Sequence, residues 1–458
     1  MLILRNYQEA AKAAVYEHLR DRDDNPCVVI PTGCHAADHP ILMFDGTMKK
    51  VQNIKVGDQI MGDDSTDRRV LALCRGSEPM YRIVPHRGRP FVVNENHLLS
   101  LVSTCEGKKY RNAQQGGEIT DISLKEYLTK SASWRHLRKL YCVAVDYEER
   151  PDLPIPPYML GLILGDGCLL DCVSLTTADE ELAHEFAQYG RSMGCDLQVR
   201  ESDGRVPIYS LTSRSGKQNL ILDAFEELGL RGHRAEKKFI PLNYLTASRE
   251  ERLRLFAGLI DSDGYWDGKG FDYITKSREL ADDIAQLVRS LGFLVHVVEK
   301  YCSCQTQAGG WYYRLCISGD CSIVPCRRIK HRNIQPRKQK KNVLRTGFVV
   351  EPVGVGDFYG FTLDGNHRYV DGNFVVHHNS GKTPVIASIC HDAVSLWNGP
   401  FRITPGSSSF ATGKTSGADG TVFELHKETF RKRNILSGPN CVVSVRYSGR
   451  NSLRTTRS

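Results

Sequence analysis

The chain has 458 residues, 41% of them apolar and 25% charged, with a net charge of +8. This length accommodates two or three domains, and the composition is an ordinary soluble balance that should bury real cores. No stretch approaches the roughly 18 apolar residues of a membrane span, and the N-terminus lacks a signal-peptide layout, so we expect a cytoplasmic protein without a membrane partner. The 15 cysteines are odd in number and scattered, which indicates reduced thiols rather than a disulfide framework.

Two distant segments form the halves of one phosphate-binding motif. Near the start, CVVIPTG is an apolar run that turns at Gly33, and near the end SGKT at 380–383 opens the apolar run PVIASI. The second half lacks its leading glycine, and joining Gly33 to Ser380 supplies it. The joined motif would hold nucleotide phosphates through backbone N–H groups and a lysine. Its candidate phosphate-binding residues are Gly33, Gly381, Lys382 and Thr383.

Nucleophiles stand at both edges of the intervening segment, residues 34–379. Cys34 opens it, Asn379 closes it after His378, and Ser380 follows. A thiol and a hydroxyl attack carbonyl carbons when a nearby base activates them. Cys34 alone is more often a small buried apolar residue. Here, however, a cyclisable asparagine stands at the other edge of the segment, and joining the two flanks restores a motif. This combination favours acyl transfer.

The edges resemble inteins, which are self-splicing elements. From Cys34, CHAADHPILMFDGTMKKVQNIKVGDQIMGDD resembles the family's first block, with a turn at Asp45-Gly46, and RPFVVNENHLLSLV resembles the second, with His97 as its histidine. DFYGFTLDGNHRYVDGNFVVHHN resembles the closing blocks, with His367 as the upstream histidine.

Three positions depart from the family pattern. Asn94 stands where threonine is frequent, Gly360 where aspartate is frequent, and His377 where an apolar residue is usual. None of these changes removes a nucleophile. The resemblance implies a splicing site of Cys34, Asn94, His97, His367, His378, Asn379 and Ser380, and no cofactor for splicing.

The middle of the insert contains a repeat. PYMLGLILGDGCL at 157–169 and RLFAGLIDSDGYW at 254–266 each run from an apolar helix with small residues to Asp-Gly. For one copy, Asp-Gly is equally a turn signal. In the duplicate, Asp166 and Asp263 would meet at two helix C-termini, where a divalent cation offsets their repulsion. Close packing of the helices would rest on Gly161, Gly165, Ala257 and Gly258.

The repeat resembles the two motifs of LAGLIDADG (dodecapeptide, DOD-type) homing endonucleases. This implies Mg²⁺ held by Asp166 and Asp263, with Lys238 of EKKFIP as a lysine partner and Lys330 as a weaker candidate for the matching role. It also implies a monomer with two pseudo-symmetric halves that cleaves double-stranded DNA at the uninterrupted host-gene site. Segment 327–345 holds nine lysine or arginine residues and no acid, enough for phosphate contacts or for a solvated linker.

The flanks resemble the start of a DEAD/DEAH-type helicase. LRNYQEAAKAAVYEHL, with Tyr7 and Gln8, precedes the front half of the phosphate loop. From about Pro400 the chain loses apolar periodicity, which predicts a truncated or frameshifted tail. We therefore expect ATP binding only in an intact spliced host.

These observations predict a multidomain chain. Residues 1–33 and 380–458 are the host flanks, 34–150 and 346–379 form a mostly-β Hint (horseshoe) splicing domain, and 151–345 form an α/β endonuclease domain with an internal pseudo-two-fold repeat. The alternative is a helicase or ATPase fragment whose insertion binds DNA but is inactive in splicing or in cleavage.

Overall fold

The computed structural model describes residues 33–104, 117–148, 152–170, 172–201, 204–213, 219–303, 309–338 and 341–379. Outside these ranges it describes two helical positions, 13 and 17, and three strands, Cys27–Val29, Phe401–Gly406 and Val442–Tyr447, which form an antiparallel sheet. Ser380, the phosphate-loop prediction at 381–383 and most of the predicted defective tail lie outside the described residues.

The first unit is built almost entirely from strands of both ends of segment 34–379. The front contributes the strands Pro40–Leu42, Met48–Lys50, Gln59–Met61, Asp67–Pro85, Phe91–Asn94, Leu98–Ser103, Ile119–Ser123 and Arg138–Tyr141. It also contributes the short helices Val51–Asn53, Leu124–Thr129 and Ala132–His136. The rear contributes the strands Arg345–Thr346, Phe348–Leu363, Arg368–Val370 and Val376–His378.

Strand pairing joins the two ends of the segment. Asp67–Pro85 and Phe348–Leu363 form a long antiparallel pair, from Phe348 opposite Pro85 to Leu363 opposite Val70. Val376–His378 lies between Leu98–Ser103 and Arg368–Val370 in the six-stranded sheet. Parts of the long strands alternate buried and exposed residues, as expected of strands that cover a core with one face. The two ends of the segment are therefore adjacent in space.

The turn expected at Asp45-Gly46 is present. Gly46 has φ +85°, and Asp45 Oδ1 accepts a hydrogen bond from the Thr47 nitrogen at 2.9 Å. Glycine adopts this left-handed conformation without steric penalty, and aspartate caps such turns through its side chain.

The second unit contains two copies of one arrangement of helices and strands. The first copy comprises Pro157–Asp166, Gly167–Cys168, Val173–Thr176, Glu180–Ser192, Cys195–Arg200, Ile208–Ser213 and Leu220–Glu227. The short helices Ala235–Lys237 and Leu242–Leu245 follow. The second copy comprises Arg249–Asp263, Gly264–Trp266, Phe271–Thr275, Arg278–Ser290, Leu294–Ser303 and Gly309–Ser318, followed by the short helices Cys321–Ile323 and Ile329–Arg332. Each copy forms a four-stranded antiparallel sheet with the same strand order. This confirms the repeat that the sequence predicts.

The two helices that carry the repeat pack backbone to backbone. We call Pro157–Asp166 the first motif helix and Arg249–Asp263 the second motif helix. A Cβ on Gly161 would lie 2.2 Å from the carbonyl oxygen of Leu255, and one on Gly258 would lie 2.1 Å from that of Tyr158. Only glycine fits at these two positions without movement of the opposite backbone. The close packing predicted from the small residues is confirmed.

Hydrogen bonds also link the two units. Arg252 is fully buried in the second motif helix and donates to the carbonyl oxygen of Val145 at 2.9 Å. The nitrogen of Val145 donates to the carbonyl oxygen of Ser290 at 2.9 Å, and Gln286 Nε2 donates to that of Gly46 at 2.8 Å.

Among the described residues, none of the helices has the length and apolar character that crossing a bilayer requires.

Candidate functional site

The start of the segment is held by Asn94. The backbone nitrogen of Cys34 donates to Asn94 Oδ1 at 2.8 Å, and the Asn94 nitrogen donates to the Cys34 carbonyl oxygen at 3.2 Å. Asn94 Nδ2 donates to Glu78 Oε2 at 2.8 Å, and Asn96 Nδ2 reaches the same oxygen at 3.2 Å. Because the carboxylate takes the NH₂ group, the amide oxygen of Asn94 is turned toward Cys34.

Two glycines leave room for the junction. A Cβ on Gly33 would lie 2.7 Å from the Cα of His97, and a Cβ on Gly360 would lie 2.3 Å from the sulfur of Cys34. The space beside Gly360 is therefore occupied by the Cys34 side chain. Cys34 itself is buried, with 1% of its surface exposed.

His97 is buried beside this junction. Its Nε2 lies 3.0 Å from His377 Nδ1, and its ring is fully enclosed. Burial, followed by the neighbouring rings of His377 and His39, holds the pKa of His97 well below its usual value. A neutral imidazole has one nitrogen that accepts a proton and one that donates, as a proton shuttle requires.

The end of the segment is held by His367 and strand pairing. His367 has φ +63°, and its carbonyl oxygen accepts a hydrogen bond from the Asn379 nitrogen at 2.8 Å. Its Nδ1 lies 2.7 Å from the carbonyl oxygen of Leu363, and its ring centroid lies 6.0 Å from that of His378. A histidine in left-handed conformation is uncommon, and such residues cluster at functional sites.

Asp121 faces the His378 ring. Asp121 Oδ2 lies 3.8 Å from His378 Nε2 and accepts from Arg368 at 2.8 Å, while its Oδ1 accepts from Ser100 at 2.6 Å. Burial would raise the pKa of Asp121, but His378 and these hydrogen bonds outweigh burial and hold the pKa below its usual value. Asp121 therefore presents a charged carboxylate to His378.

Both junctions lie against one residue, Leu98. His378 pairs with Leu98 in the sheet, and a Cβ on Gly33 would lie 2.9 Å from the Leu98 nitrogen. The structure therefore brings together the site residues predicted at the two ends, as far as they are described. The residues at this site that sequence reasoning missed are Glu78 and Asp121, whose contacts depend on strand register rather than on a local motif.

The two motif helices end at a carboxylate pair. Asp166 is half-buried and Asp263 reaches solvent, and the two carboxyl groups lie within hydrogen-bonding reach of each other. Partial removal from water raises the pKa of both, and the charge of Asp166 helps to bring that of Asp263 to about 7. Two neighbouring carboxylates with raised pKa values form a donor set that suits a hard divalent cation.

Lys238 lies at the C-terminus of the first motif helix. Its Nζ lies 2.7 to 3.1 Å from four carbonyl oxygens, those of Ile163, Leu164, Gly165 and Gly167. Burial lowers the pKa of Lys238 to about 8 although Asp263 and Asp166 oppose that shift. This cation thus compensates the negative end of a helix and the carboxylate pair together.

The basic segment after the repeat is anchored by Asp261. Asp261 Oδ2 accepts from the nitrogens of Arg327 at 2.6 Å and Arg328 at 3.2 Å, and its Oδ1 lies 3.1 Å from His331 Nδ1. Lys330 is exposed to solvent on the helix Ile329–Arg332. Within this segment, the charge of Arg328, which the sequence analysis did not single out, opposes the rise in the pKa of Asp166.

Two family models match the chain. A Hom_end-associated Hint model matches residues 34–150, and a LAGLIDADG-like domain model matches residues 250–329. The replicative DNA helicase DnaB of Mycobacterium intracellulare is 25% identical over 351 residues, which are 72% of this chain and 55% of that protein. The ATP-dependent DNA helicase Hel308 of Thermococcus kodakarensis is 30% identical over 170 residues, 33% of this chain and 15% of that protein. The chain thus spans about half of the Mycobacterium protein and less of the other.

Solved structures with some similarity include two relevant proteins. One, from work on mesophilic variants of the homing endonuclease I-DmoI, is 19% identical and covers 36% of this chain and 88% of that chain, with a TM-score of 0.25. The gp41-1 intein is 18% identical and covers 20% of this chain and 80% of that chain, with a TM-score of 0.14. The matches to the two family models show that this multidomain chain contains a Hom_end-associated Hint domain and a LAGLIDADG-like domain.

Proposed function

We propose that residues 34–379 excise themselves, join Gly33 to Ser380, and also cleave double-stranded DNA at a specific site. The observation that carries the splicing proposal is that both junctions approach Leu98. Gly33 packs against the Leu98 backbone nitrogen, and His378 pairs with Leu98 in the sheet. Acyl transfer between the two ends requires this proximity, because positioned reactants gain a large effective concentration. The domain matches support both activities.

In the first step, the sulfur of Cys34 attacks the carbonyl carbon of Gly33. A carbon–sulfur bond forms, the peptide bond to the Cys34 nitrogen breaks, and the thiol proton passes to that nitrogen. His97, neutral because it is buried, moves this proton, and the Asn94 oxygen holds the departing N–H. The unhindered Gly33 carbonyl favours attack.

The later steps transfer the acyl group and release the segment. The Ser380 hydroxyl attacks the thioester carbonyl, which forms an ester and returns the Cys34 thiol. The Asn379 side-chain nitrogen then attacks its own backbone carbonyl, forming a succinimide as the bond to Ser380 breaks. His378 supplies a proton to the leaving nitrogen, with Asp121 stabilising its charged form, and His367 positions Asn379 through its carbonyl oxygen. The freed amine of Ser380 converts the ester into a peptide bond.

For DNA cleavage, Asp166 and Asp263 would hold Mg²⁺, and the raised pKa values of this pair fit a cation site. When bound, the ion supplies charge stabilisation for a phosphodiester under attack by water. Lys238 holds the end of the first motif helix and limits the repulsion between the carboxylates. The exposed side chains of the paired four-stranded sheets, including Tyr265 and Arg314, would contact duplex DNA. We propose a monomeric endonuclease whose target is the uninterrupted host gene.

For the host, we propose a helicase-like protein interrupted in its phosphate loop. Residues 381–383 would bind ATP only after joining, in an intact host. The rival is an insertion that binds DNA without splicing or without cleavage. If the insertion does not splice, changing the junction residues leaves the products of the chain unaltered. If it splices but does not cleave, only the DNA assay distinguishes it.

Intact mass measurement of the freshly expressed chain over time tests splicing. We expect the full-length mass to be replaced by two products, residues 34–379 and the ligated 1–33/380–458, and Cys34→Ala or Asn379→Ala to abolish ligation. A persistent full-length mass would contradict splicing. Cleavage is tested separately with Asn379→Ala protein, Mg²⁺ and DNA spanning the joined host site, and activity that survives Asp166→Asn with Asp263→Asn would overturn the active-site assignment.

A further inference from the structure

A cluster of buried histidines lies behind the splicing junction. One nitrogen each of His35, His39 and His377 lie within 4.8 Å of one another, and all three side chains are buried. The carboxylate of Asp371, also fully buried, lies beside them. The reaction outlined above needs none of these four groups as a nucleophile.

The spacing around Asp371 is that of metal ligands. Its Oδ2 lies 3.3 Å from His39 Nε2 and 3.3 Å from His377 Nε2. Both ring nitrogens thus face the same carboxylate oxygen, outside ideal hydrogen-bond geometry. Two ligand atoms each about 2.0 Å from a tetrahedral zinc ion lie roughly 3.3 Å apart, so the distances match shared coordination.

The outer nitrogens of two rings are already fixed. His35 Nε2 lies 2.7 Å from the Tyr369 hydroxyl, and His377 Nδ1 lies 3.0 Å from His97 Nε2. These bonds leave His35 Nδ1 and His377 Nε2 as the nitrogens without a hydrogen-bond partner. Metal-bound histidines in proteins are held in the same way, with one nitrogen on the ion and the other in a hydrogen bond.

The donor set is also suitable. The cluster offers imidazole nitrogens and one carboxylate oxygen, all buried within reach of one another.

An entry route leads to His39. This residue lines a cleft of about 650 Å³ between the two units, whose walls also include Arg89, Glu279, Asp282 and Asp283. The rings of His35 and His39 are stacked at 3.9 Å and nearly parallel. Because ring lone pairs lie in the ring plane, one of these rings has to tilt to share an ion, and His39 at the cleft wall is the one placed to do so.

A second group of possible ligands provides a contrast. Asp261, Cys326 and His331 are also close together and buried. There, however, Asp261 accepts hydrogen bonds from Tyr158 and from two backbone nitrogens, and its Oδ1 meets His331. In that group donors engage both carboxylate oxygens. Asp371 instead accepts from the nitrogens of Asn373 and Val375 through Oδ1 alone and turns Oδ2 to the two histidine nitrogens.

We propose that His39, His377 and Asp371, with His35 as the fourth ligand, bind a first-row transition-metal ion such as Zn²⁺. Imidazole nitrogen favours this class of ion over Mg²⁺ or Ca²⁺.

Binding is tested in full-length protein that cannot splice. Cys34→Ala removes the thiol, and Asp166→Asn with Asp263→Asn removes the carboxylate pair. Titration with Co²⁺ is expected to give the strong visible absorption of a four-coordinate site, displaced by Zn²⁺ at one equivalent. His39→Gln and Asp371→Asn, added singly, are expected to weaken binding by at least about 10-fold. His331→Gln is the matched control and should bind normally.

Near-ultraviolet circular dichroism identifies variants that fold as the parent does. Because His39 and Asp371 come from opposite ends of the segment, substituting each of them guards against one misfolded variant. An unchanged Co²⁺ spectrum in both folded variants, or its absence in the parent, would overturn the metal site.

Discussion

The side-chain oxygen of Asn94 accepts a hydrogen bond from the backbone nitrogen of Cys34 at 2.8 Å. We expect Asn94→Ala to slow thioester formation by roughly 10-fold or more, since each 10-fold in rate corresponds to about 1.4 kcal/mol of barrier. The measurement is cleavage by dithiothreitol at the Gly33–Cys34 bond in an Asn379→Ala background, which isolates the first step.

The matched control is Asn96→Ala. Asn96 bonds the same Glu78 oxygen at 3.2 Å, but the amide that faces Cys34 belongs to Asn94. Equal slowing in the two variants would show that the effect arises from the Glu78 network rather than from the bond to Cys34.

Gly360 leads to a second prediction because its missing side chain makes room for the Cys34 sulfur. We expect Gly360→Ala and Gly360→Asp to displace Cys34 and to slow dithiothreitol cleavage, since the new Cβ would lie 2.3 Å from that sulfur. Gly356→Ala on the same strand is the control, because its Cβ would meet only the flexible Met80 side chain at 3.3 Å. Faster cleavage in Gly360→Asp would mean that the departure from the family pattern weakens this splicing site.

Much of this arrangement follows from local sequence signals. The Asp45-Gly46 turn, the repeated helix–strand pattern and the glycine-lined helix contact each depend on residues close together in the chain, and the structure contains all three. These features could be predicted because glycine conformation and side-chain periodicity act locally.

The supporting contacts depend on register and could not be predicted. Glu78 reaches Asn94 because Met80 pairs with Asn94 across two strands. A one-residue change of register would turn that carboxylate to the other face. Lys330 points to solvent because the neighbouring His331 faces Asp261, and adjacent residues on a helix lie about 100° apart.

Asp121 gives a third prediction, for release of the segment. We expect Asp121→Asn to slow cleavage after Asn379 by roughly 10-fold, because it removes the charge that lies 3.8 Å from His378 and favours its protonated form. The rate is measured in a Cys34→Ala background, in which the first step cannot occur. Ser100→Ala is the control, since it removes one hydrogen bond to Asp121 but keeps the charge. Equal rates in Asp121→Asn and the parent would exclude this role.

The carboxylate pair gives a fourth prediction, for pH. Asp263 has a pKa of about 7, so below pH 7 it holds a proton that a divalent ion must displace. Mg²⁺ affinity should therefore fall by roughly 10-fold per pH unit below 7 and level off above it. Titration calorimetry of Asn379→Ala protein across pH 5.5 to 8.5 in ~0.5-unit steps measures this dependence.

Lys238 controls the midpoint of that dependence. Its charge lowers the pKa of Asp263, so Lys238→Met should move the midpoint upward, whereas Lys238→Arg should largely retain it. A midpoint near the ordinary aspartate value of about 4 in the parent would show that neither removal from water nor the charge of Asp166 raises the pKa of Asp263 as proposed.

The fifth prediction concerns the contact between the motif helices. Alanine is favoured over glycine in a helix by about 1 kcal/mol. At Gly258, however, the new Cβ would lie 2.1 Å from the backbone oxygen of Tyr158, which cannot rotate away. We expect Gly258→Ala to lower the free energy of unfolding by about 1–3 kcal/mol, measured by urea denaturation in the Cys34→Ala background. Gly190→Ala, in the helix Glu180–Ser192, is the control, because its Cβ would meet the Leu211 side chain, which can move. Equal stability of the two variants would mean that the motif helices separate readily and that their glycines do not set the distance between Asp166 and Asp263.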